Sequence, residues 1–229
     1  MKKPVVDYRK LRLRTLRTPA YSHLLLLLGW VAYFALYFIT ENLIPAERCH
    51  VIHCALDDAI PFCEWFVLPY VLWYALVAGS LAWFVLYDIG SFRALSVYIM
   101  VTQALGMACY ILYPSIQLLR PAVFPRDNVL TRIIGFLYSF DTPTGVLPSL
   151  HVAYSLGLIS VWFRSADASR LWKGLLAVLV AVIILATFFI KQHSVLDALA
   201  AIPVCAAAEL VVCLIYRRKS PEPDRRPEK

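Results

Sequence analysis

Two histidines stand at the ends of apolar segments, beside the partners that phosphorus chemistry asks of them. His151 closes the run Pro148-Ser149-Leu150-His151, and His193 follows Lys191-Gln192 and precedes Asp197 by four residues. Four residues is one helical turn, so His193 and Asp197 share a face of any helix that begins there. A carboxylate so placed accepts one ring N–H, fixes the tautomer and leaves the other nitrogen free as a nucleophile. Phosphoryl transfer needs little more than an in-line nucleophile, cationic clamps on the phosphate oxygens and an acid for the leaving oxygen. Arg120 and Lys191 supply cations, and His151 supplies the acid.

The elements that position these residues follow from local chemistry. Proline is tolerated in the first helical turn, so Pro148 predicts a helix start, with Ser149, Leu150 and His151 in its first turn. The free N–H groups of that turn and the positive end of its dipole favour an anion, and the Ser149 hydroxyl adds a donor. His193 likewise opens an apolar segment. Each motif is common by chance. Their order, at the ends of different segments with Arg120-Pro121 upstream, points to function, because ionisable groups near a bilayer are costly to keep.

The chain is 61% hydrophobic over 229 residues, and its mean hydropathy is +0.68. A soluble domain of this length cannot cover so much apolar surface, so the chain reads as an all-α integral membrane protein. Six spans are predicted, at about residues 22–40, 65–87, 94–113, 149–163, 174–190 and 195–216. The fourth is short and the sixth is interrupted by Pro203 and Glu209. The expected organisation is a basic cytoplasmic tail (1–21), a six-span domain (22–216) and a disordered basic tail (217–229). No signal peptide is evident, so the first span reads as a retained anchor. Of the 22 Lys and Arg residues, only Arg48, Arg120, Arg126, Arg132 and Lys191 fall on the side opposite the termini. The positive-inside rule then places both termini in the cytoplasm and the candidate site at the outer face of the cell membrane. A basic tail on anionic lipid accounts for the net charge of +7 without nucleic acid.

Other polar residues read as structural. Residues 41–64 form an acidic outer loop with room for a short helix. It carries Cys49, Cys54 and Cys63, among which an extracytoplasmic disulfide is permitted. The Cys49/His50/His53/Cys54 cluster matches metal-ligand spacings poorly, so no metal is expected. His50 and His53 read as loop residues, and His23, Arg126 and Arg132 as interfacial ones. Residues 128–140 space Val129, Ile133, Phe136, Leu137 and Phe140 as an amphipathic helix in the interface. Glu209 lies about 18 Å along a helix from Asp197, too far for direct chemistry, and reads as structural. Pro203 is expected to kink its span.

The residues resemble the type 2 phosphatidic acid phosphatase superfamily. Its motifs are Lys, six residues, Arg-Pro; Pro-Ser-Gly-His; and Ser-Arg, five residues, His, three residues, Asp. Here Arg120-Pro121, Pro148-Ser149-Leu150-His151 and His193 with Asp197 stand in that order, across residues 94–216. Four positions depart: Tyr113 stands for the first lysine, Leu150 for the glycine, and Ala186 and Thr187 for Ser-Arg. Pro-Ser-Leu-His is similar to the branch of the inositol phosphorylceramide synthases, and Asp141-Thr142-Pro143-Thr144 to bacterial members of it. The resemblance implies a phosphohistidine on His193, orientation by Asp197, acid catalysis by His151, and phosphate held by Arg120, Ser149 and Lys191, with no metal or cofactor. It implies a lipid phosphate phosphatase, or alternatively a lipid phospho-headgroup transferase. A non-catalytic bundle that binds or moves lipid is the competing class, kept open by the two missing cations. Substrate lipid, acceptor and oligomeric state are open at this point.

Overall fold

The computed structural model describes residues 3–217. It is all-helical apart from one two-residue strand pair. The helices are α1 (Leu28–Leu43), α2 (Ala55–Ala59), α3 (Val67–Tyr87), α4 (Ile89–Leu112), α5 (Val129–Phe140), α6 (Leu150–Arg164), α7 (Arg170–Phe189) and α8 (Val195–Arg217). Strands β1 (His50–Val51) and β2 (Ser115–Ile116) pair in parallel and tie the first outer loop to the chain leaving α4.

Among the described residues, five helical segments are long and apolar enough to cross a membrane: Ser22–Thr40, Glu64–Tyr87, Ile89–Leu112, Arg170–Phe189 and Val195–Tyr216. Their outer faces carry exposed Phe34, Phe38, Leu72, Val178, Leu210 and Leu214. Water would not tolerate such a surface, whereas hydrocarbon matches it. The protein is therefore a multi-pass membrane protein.

The expected fourth span behaves differently. α6 has 15 residues, about 22 Å at 1.5 Å per residue against a hydrocarbon thickness of about 30 Å. It packs against α3, α4, α7 and α8 and buries Ala153, Leu158 and Val161. A shell of longer helices lets a helix this short sit in the bundle. Its contact with α4 is close: a Cβ on Gly157 would lie 2.4 Å from the Tyr98 ring, which is itself buried. Only glycine fits there. At the far end of α6 the Ser165 hydroxyl reaches Asp88, at the α3–α4 junction.

Several loop expectations meet the structure differently. The N-terminal segment docks on that same far end, through Val5 N–H to the Leu86 carbonyl (2.8 Å) and Tyr8 hydroxyl to the Val85 carbonyl (2.6 Å). His23 is buried rather than interfacial, bonded to the Tyr8 hydroxyl at 2.8 Å. Glu209 pairs with Arg164 and accepts the Ser160 hydroxyl at 2.6 Å, an α6–α8 tie far from the histidines. Pro203 lies within an α8 that runs unbroken from Val195 to Arg217. α5 forms where expected, capped by Asn128. It buries Ile134 and Leu137 and exposes Val129 and Phe136, so it has apolar residues on both sides. Cys49, Cys54 and Cys63 are free thiols. His50 stacks on Tyr113, and His53 bonds Asp58. Among the described residues no three His, Cys, Asp or Glu side chains group to hold a metal. The expected C-terminal tail lies almost wholly outside the described residues.

Candidate active site

The chain between α7 and α8 carries His193, and its shape is set by how α7 ends. Gln192 N–H bonds the Thr187 carbonyl (2.9 Å) and Lys191 N–H bonds the Phe188 carbonyl (3.0 Å). This is the paired closure of a Schellman cap, whose left-handed position favours glycine. Lys191 occupies it instead, at φ 55°. A non-glycine residue held there is strained, and such strain persists only where the surroundings over-determine it.

The surroundings do so. The Lys191 ammonium donates to the Asp57 and Ile60 carbonyls at 2.7 and 2.5 Å, and the Gln117 amide donates to the Lys191 carbonyl at 3.0 Å. The Tyr138 hydroxyl donates to the Ile190 carbonyl at 2.6 Å. Lys191 is thus a tie to the outer loop, with its ammonium committed to two backbone carbonyls. Two of its three N–H donors are so used. Burial pulls its pKa down, while Asp57 and Asp58 act against that.

Asp57 on α2 fixes the other end of the turn. It accepts the Ser194 hydroxyl at 2.6 Å, Val195 N–H at 2.8 Å and Cys54 N–H at 2.8 Å. It therefore satisfies donors at the start of α8 and places a negative charge at the positive end of that dipole. Asp57→Ala leaves three donors without a protein partner, and we expect a loss of about 3 kcal/mol, read as a lowered thermal midpoint. Burial pushes the Asp57 carboxyl up, but the hydrogen bonds from Ser194, Val195 and Cys54 outweigh it and hold the pKa below the ordinary carboxylate value. A carboxyl lowered in the folded state stabilises above its unfolded pKa of about 4 and loses that contribution as pH falls through the folded value. The wild type is expected to lose stability relative to Asp57→Asn below about pH 4, in thermal melts run across pH.

At the centre, His193 Nδ1 lies 3.2 Å from Asp197 Oδ2, which also accepts Ser194 N–H at 2.9 Å. His193 Nε2 lies 3.3 Å from His151 Nδ1. One proton arrangement makes both contacts hydrogen bonds: His193 donates from Nδ1 to Asp197, and His151 donates from Nδ1 to His193 Nε2. The lone pair needed for attack is then on Nε2, held by a contact at the long end of the hydrogen-bond range. His151 Nε2 and Asp197 Oδ1 are buried and have no partner among the described residues. Tyr70 and Trp73 pack on the His151 ring, with centroids 4.8 and 4.3 Å away.

The Pro-Ser-Leu-His segment differs in detail from expectation. Ser149 is the N-cap and α6 starts at Leu150, so Pro148 precedes the helix instead of lying in its first turn. The Ser149 hydroxyl accepts Val152 N–H at 3.4 Å, and Ser149 N–H donates to the Asp197 carbonyl at 3.0 Å. Ser149 is thus fully buried and ties α6 to α8; its role here is to cap and join. The Tyr110 hydroxyl holds the Pro148 carbonyl at 2.8 Å. Leu150, where the resemblance has glycine, has its counterpart in Gly106 of α4. A Cβ on Gly106 would lie 3.0 Å from Leu150 Cδ2, so the space for the larger side chain comes from the facing helix.

Arg120 caps the C-terminal end of α5, donating to the Tyr138 carbonyl at 3.1 Å and the Asp141 carbonyl at 2.5 Å, and reaches Gln192 Oε1 at 2.5 Å. Three of its five N–H donors are so used, and Nε is buried with no partner among the described residues. Burial lowers its pKa, with Asp141 and Tyr138 opposing. The Asp141 carboxylate accepts the Tyr70 hydroxyl at 2.8 Å and the Gln192 amide at 3.4 Å. The structure thus brings together His151, His193 and Asp197, links Ser149 and Arg120 to them through backbone and Gln192, and commits Lys191 elsewhere. It adds Asp57, Asp141, Gln192 and Tyr70. At the two positions where the resemblance has cations, Tyr113 stacks on His50 at 4.2 Å and Thr187 is buried as the acceptor of the α7 cap.

No protein-family model, curated protein or solved structure matches the chain.

Proposed function

We propose that this protein is a membrane enzyme that cleaves a lipid phosphate ester through a phosphohistidine on His193. The observation that carries the reading is the Asp197–His193–His151 line, two contacts of 3.2 and 3.3 Å in which a buried carboxylate leaves Nε2 with its lone pair. His193 attacks phosphorus. Asp197 stabilises the imidazolium that forms, and His151 protonates the leaving oxygen. Arg120 retains two N–H donors for phosphate oxygens. Water is the acceptor in the first reading, which makes the protein a hydrolase of the lipid–phosphate bond: a phosphatase on a phosphomonoester, a phosphodiesterase on a phosphodiester. Transfer of the phospho-headgroup to an alcohol is the second, favoured because His193 and Asp197 are almost wholly shielded from solvent.

In this reading α6 counts as a sixth crossing. Support comes from its two ends: His151 lies with His193 at one end, and Ser165 meets Asp88 at the other. The N-terminal segment also docks at the Asp88 end. Both termini then lie on the cytoplasmic side, and the histidines lie at the outer face of the cell membrane.

The test is mass spectrometry of a mixed phospholipid pool, including lipid phosphates and diacylglycerol, incubated with the protein or its His193→Ala variant. Loss of a phospholipid with release of a water-soluble phosphate is expected. A headgroup-exchanged lipid moves the acceptor to an alcohol. Identical pools from the two proteins would support a bundle that only binds or moves lipid.

A further inference from the structure

Asp141 is poorly explained as a structural residue. It stands at the C-terminal end of α5, where the helix macrodipole is negative and a cation is the favourable choice. The α5 carbonyls there are already capped by Arg120. Yet its half-buried carboxylate lies one side chain from each histidine: Tyr70, which donates to it, packs on the His151 ring, and Gln192, which also donates to it, precedes His193 in the chain. Among the described residues, Arg120 is the one Lys or Arg side chain bonded into this cluster. Two carboxylates, Asp141 and Asp197, therefore stand against one cation. A phosphomonoester brings close to two negative charges beside a half-buried carboxylate, and like charges at such range repel. A phosphodiester brings one.

The same group that disfavours a dianion suits an ammonium. Tyr70, Trp73 and Tyr74 pack around His151; Tyr70 and Trp73 are buried, and Tyr74 is 39% exposed. A carboxylate beside aromatic faces is a recognition set for an amine. Resting on the phosphoryl-transfer reading above, we infer that Asp141 and these rings form a headgroup subsite, and that the lipid cleaved is a phosphodiester whose headgroup carries an amine. His193 Nε2 forms the N–P bond as the bond from phosphorus to the diacylglycerol oxygen breaks. That oxygen takes a proton from His151, and the phospho-amine stays on His193. Water or an alcohol then adds to phosphorus, its proton passes to His151 and the N–P bond breaks. Arg120 holds the single anionic charge while the ammonium lies against Asp141.

The experiment compares phosphatidylethanolamine, phosphatidylglycerol and phosphatidic acid as separate substrates of the full-length protein in mixed micelles. Phosphatidylethanolamine is expected to have the highest kcat/KM, by about tenfold over phosphatidylglycerol, the gain of roughly one desolvated cation–π or ion contact. Asp141→Asn is expected to lower kcat/KM for phosphatidylethanolamine and to raise it for phosphatidic acid, while Asp141→Glu keeps the wild-type order. A wild-type preference for phosphatidylglycerol or phosphatidic acid overturns the inference while leaving phosphotransfer standing, and does so whether or not the variants fold. A parallel fall on all three lipids in Asp141→Asn overturns it too, because it reports a structural carboxylate. Absence of turnover on all three overturns the phosphoryl-transfer reading and the inference with it.

Discussion

Replacing His193 by alanine is expected to lower phospholipid turnover by about four orders of magnitude or more, the scale on which loss of a covalent nucleophile acts in enzymes whose residues work as a unit. The side chain itself contributes little to the fold. Its partners are Asp197 and His151, whereas the turn that carries it is held by main-chain bonds from Gln192 and His193 to Thr187 and by Lys191, Tyr138 and Asp57. The variant should therefore melt close to the wild type, which separates chemistry from folding. Rapid quench with a lipid labelled at phosphorus should trap an acid-labile, base-stable protein adduct in the wild type and none in the variant. An adduct that survives His193→Ala, or residual turnover above about one per cent, would remove His193 from the nucleophile's role.

How much of this was legible in the sequence depends on the range of each interaction. Periodicity and hydropathy gave the five long spans and the helix α5 to within a few residues, because hydrocarbon sets the length and apolarity of whatever crosses it, and a 3.6-residue spacing marks a helix. The His193–Asp197 pair was legible because both members lie on one helical turn. The His151–His193 contact was only implied, by placing both at the same face. Asp57 carried no local signal: its partners Ser194 and Val195 lie more than 130 residues on, and an acidic pair in a loop reads as solvated until the loop folds under α8. The tie made by Lys191 was hidden for the same reason. A lysine two residues before a nucleophile reads as a phosphate clamp, whereas its left-handed backbone and the α2 carbonyls make it a tie. Leu150 read as a departure until Gly106, on another helix, supplied the space.

Asp197→Asn is the second large effect expected, a loss of about three orders of magnitude with little change in the fold, because the carboxylate acts by choosing a tautomer. Asp197 Oδ2 accepts from two donors at once, His193 Nδ1 and Ser194 N–H, while Oδ1 is buried and empty-handed. An asparagine that keeps its carbonyl on both donors must bury its NH2 where Oδ1 now has no partner, at a cost of about 1–3 kcal/mol. If it turns instead, the NH2 faces Nδ1 and forces the proton to Nε2. The lone pair then sits on the wrong nitrogen and His193 cannot attack. Either way the imidazolium formed on attack loses its counter-charge. Nitrogen-15 spectra of labelled histidine should show the Nδ1-protonated ring of His193 in the wild type and a shift toward the Nε2-protonated form in the variant. Because the two residues act as one device, adding Asp197→Asn to His193→Ala should cost nothing further. A loss under about tenfold in the single variant, or losses that multiply in the double, would mean that Asp197 holds α8 in place and does not tune the nucleophile.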